Sequence, residues 1–286
     1  FAGETIRIGD FFSVSWPASF LWERELNTEK ILEDQLNREG GLLNRKVDII
    51  VYDDESDATK AVTAVDRLLK RDRAVAIVGP STSGSTLAIV PKVEAARIPL
   101  ISCAAARKIV EPVRPWVFKV AASDILAVKK IFHDLKQRGL TKVAILTASD
   151  AYGAGGREDI KELAPQMGIS LAADEVFGPR DTDITAQLTR IKGTAAQAII
   201  VWGTNPGPAV VARNRVQLKI TTPLYMSSGV ASKRFIELAG PENAEGILLP
   251  AGRLLVEGQL AANHPQKKVL GGYIKEYERR FQQPVS

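Results

Sequence analysis

Short apolar strands alternate with amphipathic helical segments along the chain, and this alternation restricts its fold more than any other feature. The segments predicted as strands are residues 5–9, 47–52, 75–78, 99–102, 143–147, 170–177, 198–202 and 223–226. Between them, apolar residues recur at helical spacing, as at Ala61, Val65 and Leu68. Nearly continuous apolar strands that alternate with helices are typical of parallel sheets covered by helices on both faces. The sequence therefore predicts an α/β fold.

The order of elements repeats in the second half of the chain. Residues 47–84 run through strand, acidic turn, helix, strand and small-residue turn, and residues 170–208 follow a similar order. The length of 286 residues is also above that of a single average domain. We expect two doubly wound parallel-sheet lobes with a ligand cleft between them, because ligands bind beyond the carboxyl ends of such strands. The expected lobes are residues 1–119 with 252–286, and residues 120–251.

Composition excludes several classes of protein. The net charge of +5, from 38 basic and 33 acidic residues, is too small to indicate nucleic-acid binding. One cysteine excludes a disulfide within the chain, and with two histidines it leaves little material for a zinc site. No apolar run approaches the ~20 residues that a membrane helix needs. The chain starts without a signal peptide, which mature exported proteins also lack.

The turn from Gly79 to Thr86 resembles a phosphate-binding P-loop, but Ser85 stands where that motif has its lysine. Without this cation, nucleotide hydrolysis is not expected. A helix that begins near Gly84 would still direct free N–H groups and several hydroxyls into the turn, which suits an anion such as a carboxylate. Ser83 and Ser85 are the candidate ligand contacts. The alternative is that one of them only caps the helix.

A second glycine-rich segment resembles a dinucleotide-binding fingerprint, since Gly153 and Gly155 follow a predicted strand. Glu158 occupies the third glycine position of that motif, where its side chain would crowd the contact between helix and strand. We therefore interpret the segment as an ordinary connection between strand and helix, and expect no cofactor.

The reactive side chains do not form a recognisable catalytic set. The sequence places neither His133 nor His264 near Cys103, and it contains no Gly-x-Ser-x-Gly nucleophile elbow. The acidic run 53–57 lacks the glycine and the ligand spacing of a calcium loop, so we interpret it as capping the next helix. We expect a protein that is not an enzyme and holds no metal.

An aromatic cluster follows the first predicted strand. Its members are Phe11, Phe12, Trp16, Phe20 and Trp22. Large aromatic side chains usually belong to the core, but some of these rings lie where the carboxyl end of a strand opens towards the expected cleft. Core packing and the apolar wall of a pocket both remain open for Trp16 and Trp22.

Several segments together resemble the branched-chain amino acid (leucine/isoleucine/valine-binding) family of type I periplasmic binding proteins, which feed ABC importers. The segments that carry the resemblance are 31–46, 53–57, 77–80 with 83–84, Pro91, 98–102, 118–119, 150–153 and 244–246. None is diagnostic alone, but their order and spacing are specific. The family implies two lobes joined by three crossings, with ligand capture by lobe closure.

The resemblance implies ligand contacts in lobe 1. Ser83 matches the family serine that binds the ligand carboxylate. Ala104 and Ala106 match the next contact segment, and we include their neighbours Cys103 and Ala105 in the predicted site.

The resemblance also implies contacts in lobe 2. Tyr152 matches the tyrosine that closes over the ligand, and Asn205 lies near another contact position. Ser227 or Ser228 falls near the acidic residue that binds an α-ammonium group, and we select Ser228 as the candidate.

Two departures from the family pattern affect the expected ligand. Ala106 lacks a hydroxyl, and residues 226–229 contain no Asp or Glu. Burial of an ammonium group without a countercharge costs several kcal/mol, so an aromatic or oxo acid is favoured over an amino acid. Asp10 and Asp150 are predicted at strand ends and are the alternative partners for an ammonium group.

The expected function is that of an exported solute-binding protein. It would bind a small carboxylate-bearing ligand as a monomer and would work with the permease subunits of an ABC importer. Its expected location is periplasmic, or extracellular and membrane-anchored in a Gram-positive organism. The alternatives are a branched-chain amino acid-binding protein of the same fold and a cytoplasmic ligand-sensing regulator. Family members typically continue beyond the equivalent of Ser286 with further lobe-one helices.

Overall fold

The computed structural model describes residues 3–13 and 19–285, with the backbone alone at residues 19–22. The strands are β1 (Ile6–Phe12), β2 (Val47–Asp53), β3 (Ala76–Val78), β4 (Leu100–Ser102), β5 (Val117–Lys119), β6 (Lys142–Ala148), β7 (Ser170–Phe177), β8 (Ala198–Trp202) and β9 (Leu224–Met226). The helices are α1 (Ser19–Arg38), α2 (Ala58–Lys70), α3 (Ser83–Ala96), α4 (Asp124–Gln137), α5 (Ala151–Gln166), α6 (Thr185–Lys192), α7 (Gly207–Gln217), α8 (Lys233–Ala239), α9 (Pro241–Ala244) and α10 (Lys267–Phe281). Short 3₁₀ helices cover Arg107–Ile109, Ser228–Val230 and Arg253–Gln259.

These elements form two compact units. Unit 1 contains the residues up to Ala104, Pro112–Val120 and the residues from Ala251 onward. Unit 2 contains Ala105–Glu111 and Ala121–Pro250. Each unit has its own sheet in which all paired strands are parallel. The predicted α/β class, with two doubly wound parallel sheets, is confirmed.

Unit 1 is built on a five-stranded sheet in the order β2-β1-β3-β4-β5. Helix α2 packs on it through Val65 and Leu68, which are fully buried. Gly9 of β1 permits this packing, because a Cβ atom there would lie 2.8 Å from Leu68. Helices α1 and α10 also pack together, and the Asn27 amide of α1 donates a hydrogen bond to the Tyr277 hydroxyl at 3.2 Å.

Unit 2 is built on a four-stranded sheet in the order β7-β6-β8-β9. Neighbouring residues of one strand belong to different core clusters, as the alternation of side chains along a strand requires. Ile145 of β6 packs in a cluster with Phe132 of α4, and Leu146 packs in another cluster with Val211 of α7. The sheet is therefore covered by apolar helix faces on both sides.

The strand order reverses at the first strand of each sheet. Strand β1 lies between β2 and β3, and β6 lies between β7 and β8. The connections that leave such neighbouring strands run to opposite faces of the sheet, which opens a crevice beyond their carboxyl ends. The residues that follow β3 in unit 1, and those that follow β6 and β8 in unit 2, therefore lie where sheets of this kind bind ligands.

The predicted lobe boundaries differ from the units at one segment and two single residues. Ala105–Glu111 belongs to unit 2 rather than to the first lobe, because Arg107 forms ion pairs with Asp159 and Glu162 of α5. Val120 and Ala251, which the sequence placed in the second lobe, belong to unit 1. Strand β5 is missing from the predicted strands, because Lys119 interrupts the apolar residues Val117, Phe118 and Val120.

Two glycines of α5 are explained by close packing. A Cβ atom at Gly153 would lie 2.1 Å from the carbonyl oxygen of Ala148, and one at Gly156 would lie 2.2 Å from the indole of Trp202. At Gly155 the nearest atom would be the Ala106 Cβ at 3.8 Å, which is an ordinary contact. The glycine-rich segment thus lets α5 approach β6 and β8.

We predict opposite effects for two alanine substitutions one residue apart in α5. Gly156→Ala should lower the free energy of unfolding by about 1–3 kcal/mol, as overpacking does, because its Cβ must displace the buried Trp202 ring. Gly155→Ala is the matched control and should raise it by up to about 1 kcal/mol, since alanine favours a helix. Urea unfolding measures both. Equal values for the two variants would contradict the packing described.

Candidate functional site

The amino end of α3 is the first polar feature beyond the strand ends of unit 1. Thr82 caps the helix and accepts a 3.4 Å hydrogen bond from the Ser85 amide. The cap is therefore Thr82, and the expectation that Ser83 or Ser85 caps the helix is wrong. Ser83 and Ser85 lie instead in the first turn and are buried, with 2% and 1% exposure. The first N–H groups of a helix lack intrahelical partners and attract anions.

Hydrogen bonds join this first turn to the end of β4. The Thr86 hydroxyl donates to the Thr82 carbonyl at 3.0 Å and lies 2.8 Å from the Ser102 hydroxyl oxygen. Ser102 Oγ in turn accepts a 3.1 Å hydrogen bond from the Ala104 amide. The turn that precedes α3 and the segment that follows β4 are thereby held in a fixed arrangement.

Acidic side chains surround the amino end of α3. Asp10 lies in β1, Asp54 follows β2, and Glu25 and Glu29 lie one turn apart on α1. We call these four residues the acidic group. Asp54 Oδ1 accepts from the Ser13 hydroxyl at 2.8 Å and from the Ser56 amide at 2.9 Å. Glu25 accepts a hydrogen bond from the Ser81 hydroxyl, in the turn before α3.

Burial raises the pKa values of this group. It raises the pKa of Glu25 to about 7, and the charge of Asp54 acts in the same direction. Burial raises the pKa of Glu29 to about 8, with a further contribution from Glu33. The pKa of Asp54 is raised by burial as well, although the Ser85 and Ser13 hydroxyls oppose the shift. These carboxyl groups are therefore protonated at higher pH than ordinary surface carboxyl groups.

Cys103 lies against the acidic group. Burial and the negative charges of Glu25 and Glu29 raise the pKa of its thiol well above the usual range. A thiolate is the reactive form of cysteine, so this side chain remains an unreactive thiol at neutral pH. Cys103 is therefore suited to packing and hydrogen bonding.

Tyr152 is the central residue at the carboxyl end of the unit 2 sheet. It lies in the first turn of α5, is 8% exposed, and packs on Trp202 with a ring-centroid distance of 6.1 Å. Burial and the nearby charge of Asp124 raise the pKa of its hydroxyl, which the neighbouring groups of Ser227, Ser228 and Gly229 only partly oppose. Tyr152 is therefore a neutral hydrogen-bonding group against an aromatic wall.

Asn205 follows β8 and is placed beside the same sheet end. It is 3% exposed, and within the described residues neither its amide nitrogen nor its amide oxygen has a hydrogen-bond partner. An asparagine amide provides two donors and two acceptor lone pairs, and leaving them unpaired in a buried position is costly. Asn205 therefore has free capacity for a polar ligand.

The structure changes the set of possible ammonium partners. Asp150 caps α5, where its Oδ1 accepts a 2.7 Å hydrogen bond from the Gly153 amide. Asp10 is fully buried, and no residue of the described ranges donates to its carboxylate oxygens. Asp124, at the start of α4, is buried close to Tyr152. Acidic groups thus lie near both sets of predicted contacts.

The predicted site residues fall into two sets. Unit 1 contains Ser83, Ser85, Cys103 and Ala104, and unit 2 contains Ala105, Ala106, Tyr152, Asn205 and Ser228. Trp16 lies outside the described residues, and so does the side chain of Trp22 in α1. Of the same aromatic cluster, Phe11 and Phe12 are core residues.

Sequence reasoning missed the acids of α1 and Asp124. The available signal was the spacing of Glu25 and Glu29, which are four residues apart and so share one face of the helix. The acidic run after β2 was correctly linked to helix capping, since Asp57 accepts from the amides of Thr59 and Lys60. Asp54 of the same run points to Ser13 instead.

The described residues form neither a membrane-spanning helix nor a cluster of metal ligands. None of their helices is long and apolar enough to cross a membrane. No group of three or more His, Cys, Asp or Glu in these ranges is arranged to hold a metal ion.

Comparison with protein families gives a match over nearly the whole chain. The family model described as "Periplasmic binding protein" matches residues 5–281. An "Amino acid binding protein" of Pseudomonas aeruginosa is 24% identical over 252 residues, which cover 85% of this chain and 66% of that protein. Other relatives of 22–23% identity are named Leu/Ile/Val-binding proteins. The chain spans 63–66% of the length of the first curated relatives that it matches.

Solved structures show the same fold. An extracellular ligand-binding receptor from Rhodopseudomonas palustris HaA2 is 26% identical, with a TM-score of 0.89 over 97% of this chain and 76% of that one. A solute-binding protein of an ABC transporter from Rhodopseudomonas palustris BisB5, in complex with 3,4-dihydroxybenzoic acid, is 18% identical. Its TM-score is 0.82, over 98% of this chain and 75% of that one.

We predict that the segment carrying Ala105 and Ala106 depends mainly on the ion pair between Arg107 and the buried Asp159. Arg107 Nε lies 2.9 Å from Asp159 Oδ1, and the Asp159 side chain is 3% exposed. Arg107→Met should cost about 3–5 kcal/mol in the free energy of unfolding, because it leaves a buried charge unpaired. Lys108→Met is the control: its pair with Glu158 is exposed, so the loss should stay below about 1 kcal/mol. Chemical denaturation giving equal losses would refute the assignment.

Proposed function

We propose that this chain is the solute-binding component of an ABC importer. It belongs to the branched-chain amino acid-binding family of type I periplasmic binding proteins. Its substrate would be a small carboxylate-bearing molecule, captured by closure of the two lobes. It would act outside the cytoplasm as a monomer that delivers the ligand to permease subunits. Family membership supports each of these points.

The observation that carries the carboxylate proposal is the amino end of α3. This end lies at the reversal of strand order in unit 1, where ligands bind in sheets of this kind. Ser83 is buried there in the first turn of the helix, whose backbone N–H groups are directed towards its amino end. A ligand carboxylate would accept hydrogen bonds from these N–H groups and from the Ser83 and Ser85 hydroxyls.

The polar groups of unit 2 support recognition of a second part of the ligand. Asn205 provides donors and acceptors, and Tyr152 with Trp202 provides an aromatic surface. Ala104, Ala105 and Ala106 are small, so they leave room for ligand atoms close to the backbone. Ser228 and Cys103 remain proposed contacts on the basis of their positions.

We favour an aromatic or oxo acid as the ligand. Residues 226–229 contain no carboxylate for an ammonium group. The dihydroxybenzoic acid complex supports the view that the fold accommodates an aromatic acid. A branched-chain amino acid is the second candidate, favoured by the buried Asp124 beside Tyr152 and by the names of the Leu/Ile/Val-binding relatives.

The ligand class is tested with matched pairs of acids that differ only in the group at the α-carbon. We expect phenylpyruvate and 4-methyl-2-oxopentanoate to raise the melting temperature more than phenylalanine and leucine at equal concentration. A ligand at about 100 times its Kd stabilises the folded protein by about 2.7 kcal/mol. A thermal-shift series in which both amino acids exceed their oxo analogues would establish the second candidate instead.

Ser83→Ala tests the carboxylate anchor with the best acid of that series. The variant should lose about 1.5–3 kcal/mol of binding free energy, because a hydrogen bond to a charged group is removed. Ser170→Ala, which changes an exposed serine of β7, is the control and should bind like the wild type. Calorimetry showing unchanged affinity in a folded Ser83→Ala protein would remove Ser83 from the site.

A further inference from the structure

Glu25 is an acidic residue close to the amino end of α3, where the proposed function places the negatively charged carboxylate of the ligand. It accepts a hydrogen bond from the Ser81 hydroxyl, and Ser81 is 8% exposed in the turn that leads into α3. The Cys103 thiol also lies within hydrogen-bonding reach of the Glu25 carboxyl group. A ligand carboxylate at the amino end of α3 would therefore lie close to Glu25.

The groups that face Glu25 are mainly acidic or neutral. Asp54 faces it from the end of β2, Cys103 from the end of β4, and Glu29 follows it on α1. Helix α10 packs against α1 and contributes Tyr273 and Tyr277, which contact Thr28 and Asn27. Arg24 of α1 lies close enough to Tyr273 to affect its pKa. No basic side chain of the described ranges contributes to the pKa of Glu25 or Glu29.

A second observation shows that this region has unused hydrogen-bonding capacity. Asp10 is fully buried, and neither of its carboxylate oxygens has a donor within residues 3–13 and 19–285. Its Oδ1 is directed at the same turn, 2.9 Å from the position that a Cβ atom would take at Gly79. The Ser85 hydroxyl is buried as well and faces the Asp54 carboxyl group, whose pKa it lowers. Buried polar groups of this kind require a proton or a ligand.

An ionised Glu25 would oppose the binding of a carboxylate in two ways. Its charge would repel the ligand in a partly water-excluded setting. It would also hold the Ser81 hydroxyl in a hydrogen bond to itself, so that this hydroxyl could not donate to the ligand. A neutral carboxylic acid has an O–H of its own and can donate it to a hydroxyl oxygen.

We propose that Glu25 carries a proton when unit 1 binds a ligand carboxylate. This proton reverses the hydrogen bond, so that Glu25 donates to Ser81 Oγ and the Ser81 hydroxyl donates to the ligand. When Glu25 is ionised beforehand, its carboxylate takes up one proton from solvent for each ligand bound, which forms the O–H bond of the neutral acid, and no other covalent bond forms or breaks. Glu25 is then a positioning residue that makes the site selective for anions. The inference rests on the proposed function, since it concerns the same carboxylate.

The pKa of Glu25 gives the sign and the range of the pH dependence. Burial raises this pKa to about 7 in the free protein, and a bound anion raises it further. Below pH 7 Glu25 is mostly neutral already, so the affinity should be constant. Above pH 7 binding requires proton uptake, so the affinity should fall by up to about tenfold per pH unit.

Calorimetry with phenylpyruvate and with leucine at pH 6.0–8.5 tests the proposal. Both probes carry a carboxylate, so the test does not depend on which ligand class is correct. For the wild-type protein we expect the affinity of the probe that binds to fall about 10- to 30-fold over this range. Buffers of different ionisation enthalpy should report uptake of a proton at pH 8, which requires no variant.

Two glutamine variants assign the effect to one residue. Glu25→Gln mimics the neutral acid and should bind at pH 8.5 as tightly as the wild type does at pH 6.0, with less than threefold change over the range. Glu29→Gln removes the other acid of the same helix face and should keep the wild-type pH dependence. A merely structural role of Glu25 would not flatten the profile.

Each contrary result has a distinct meaning. Wild-type affinity that is independent of pH, or a pH dependence that persists in Glu25→Gln, overturns the role of Glu25 and leaves the proposed function intact. Affinity that rises with pH also overturns it and shows that the acidic group binds a cation. If neither probe binds at any pH, to the wild type or to Glu25→Gln, the carboxylate proposal fails and the Glu25 proposal fails with it.

Discussion

The reversal of strand order in the two parallel sheets determines where each unit places its polar groups. Because β1 lies between β2 and β3, the chain leaves β1 and β3 towards opposite faces and opens a crevice at their carboxyl ends. The same happens between β6 and β8. Ser83, Ser85 and Asp54 follow strands of the first sheet, whereas Tyr152 and Asn205 follow strands of the second. The proposed ligand contacts are thus consequences of topology.

Hydrogen bonds and close packing hold the polar groups at these strand ends in place. In unit 1, the hydroxyls of Thr86 and Ser102 join the first turn of α3 to β4. In unit 2, Gly153 and Gly156 let α5 approach its sheet, which places Tyr152 against Trp202. A site whose groups are positioned before the ligand arrives loses less entropy on binding. Family membership and this fixed geometry together support the proposed role in solute capture.

The sequence predicted the fold class, the repeat and most strands, because continuous apolar strands that alternate with amphipathic helices form a recognisable pattern. It also identified the turn before α3. It could not identify Thr82 as the cap, since four consecutive positions, Ser81, Thr82, Ser83 and Gly84, are all residues that can cap a helix. The placement of 105–111 in unit 2 depends on the pair between Arg107 and Asp159, 52 residues apart, and pairs of this kind leave no local pattern. The role of Glu25 depends on how α1 packs, which periodicity alone does not give.

A crystal structure of the protein with the ligand that co-purifies with it would test the carboxylate proposal. The claim is that the amino end of α3 binds the ligand's carboxylate. The account predicts a carboxylate with oxygens about 3 Å from the Ser83 hydroxyl and from a backbone nitrogen of the first turn. A ligand that places an ammonium group there, against Glu25 and Asp54, or that leaves this turn without a contact, would contradict the account.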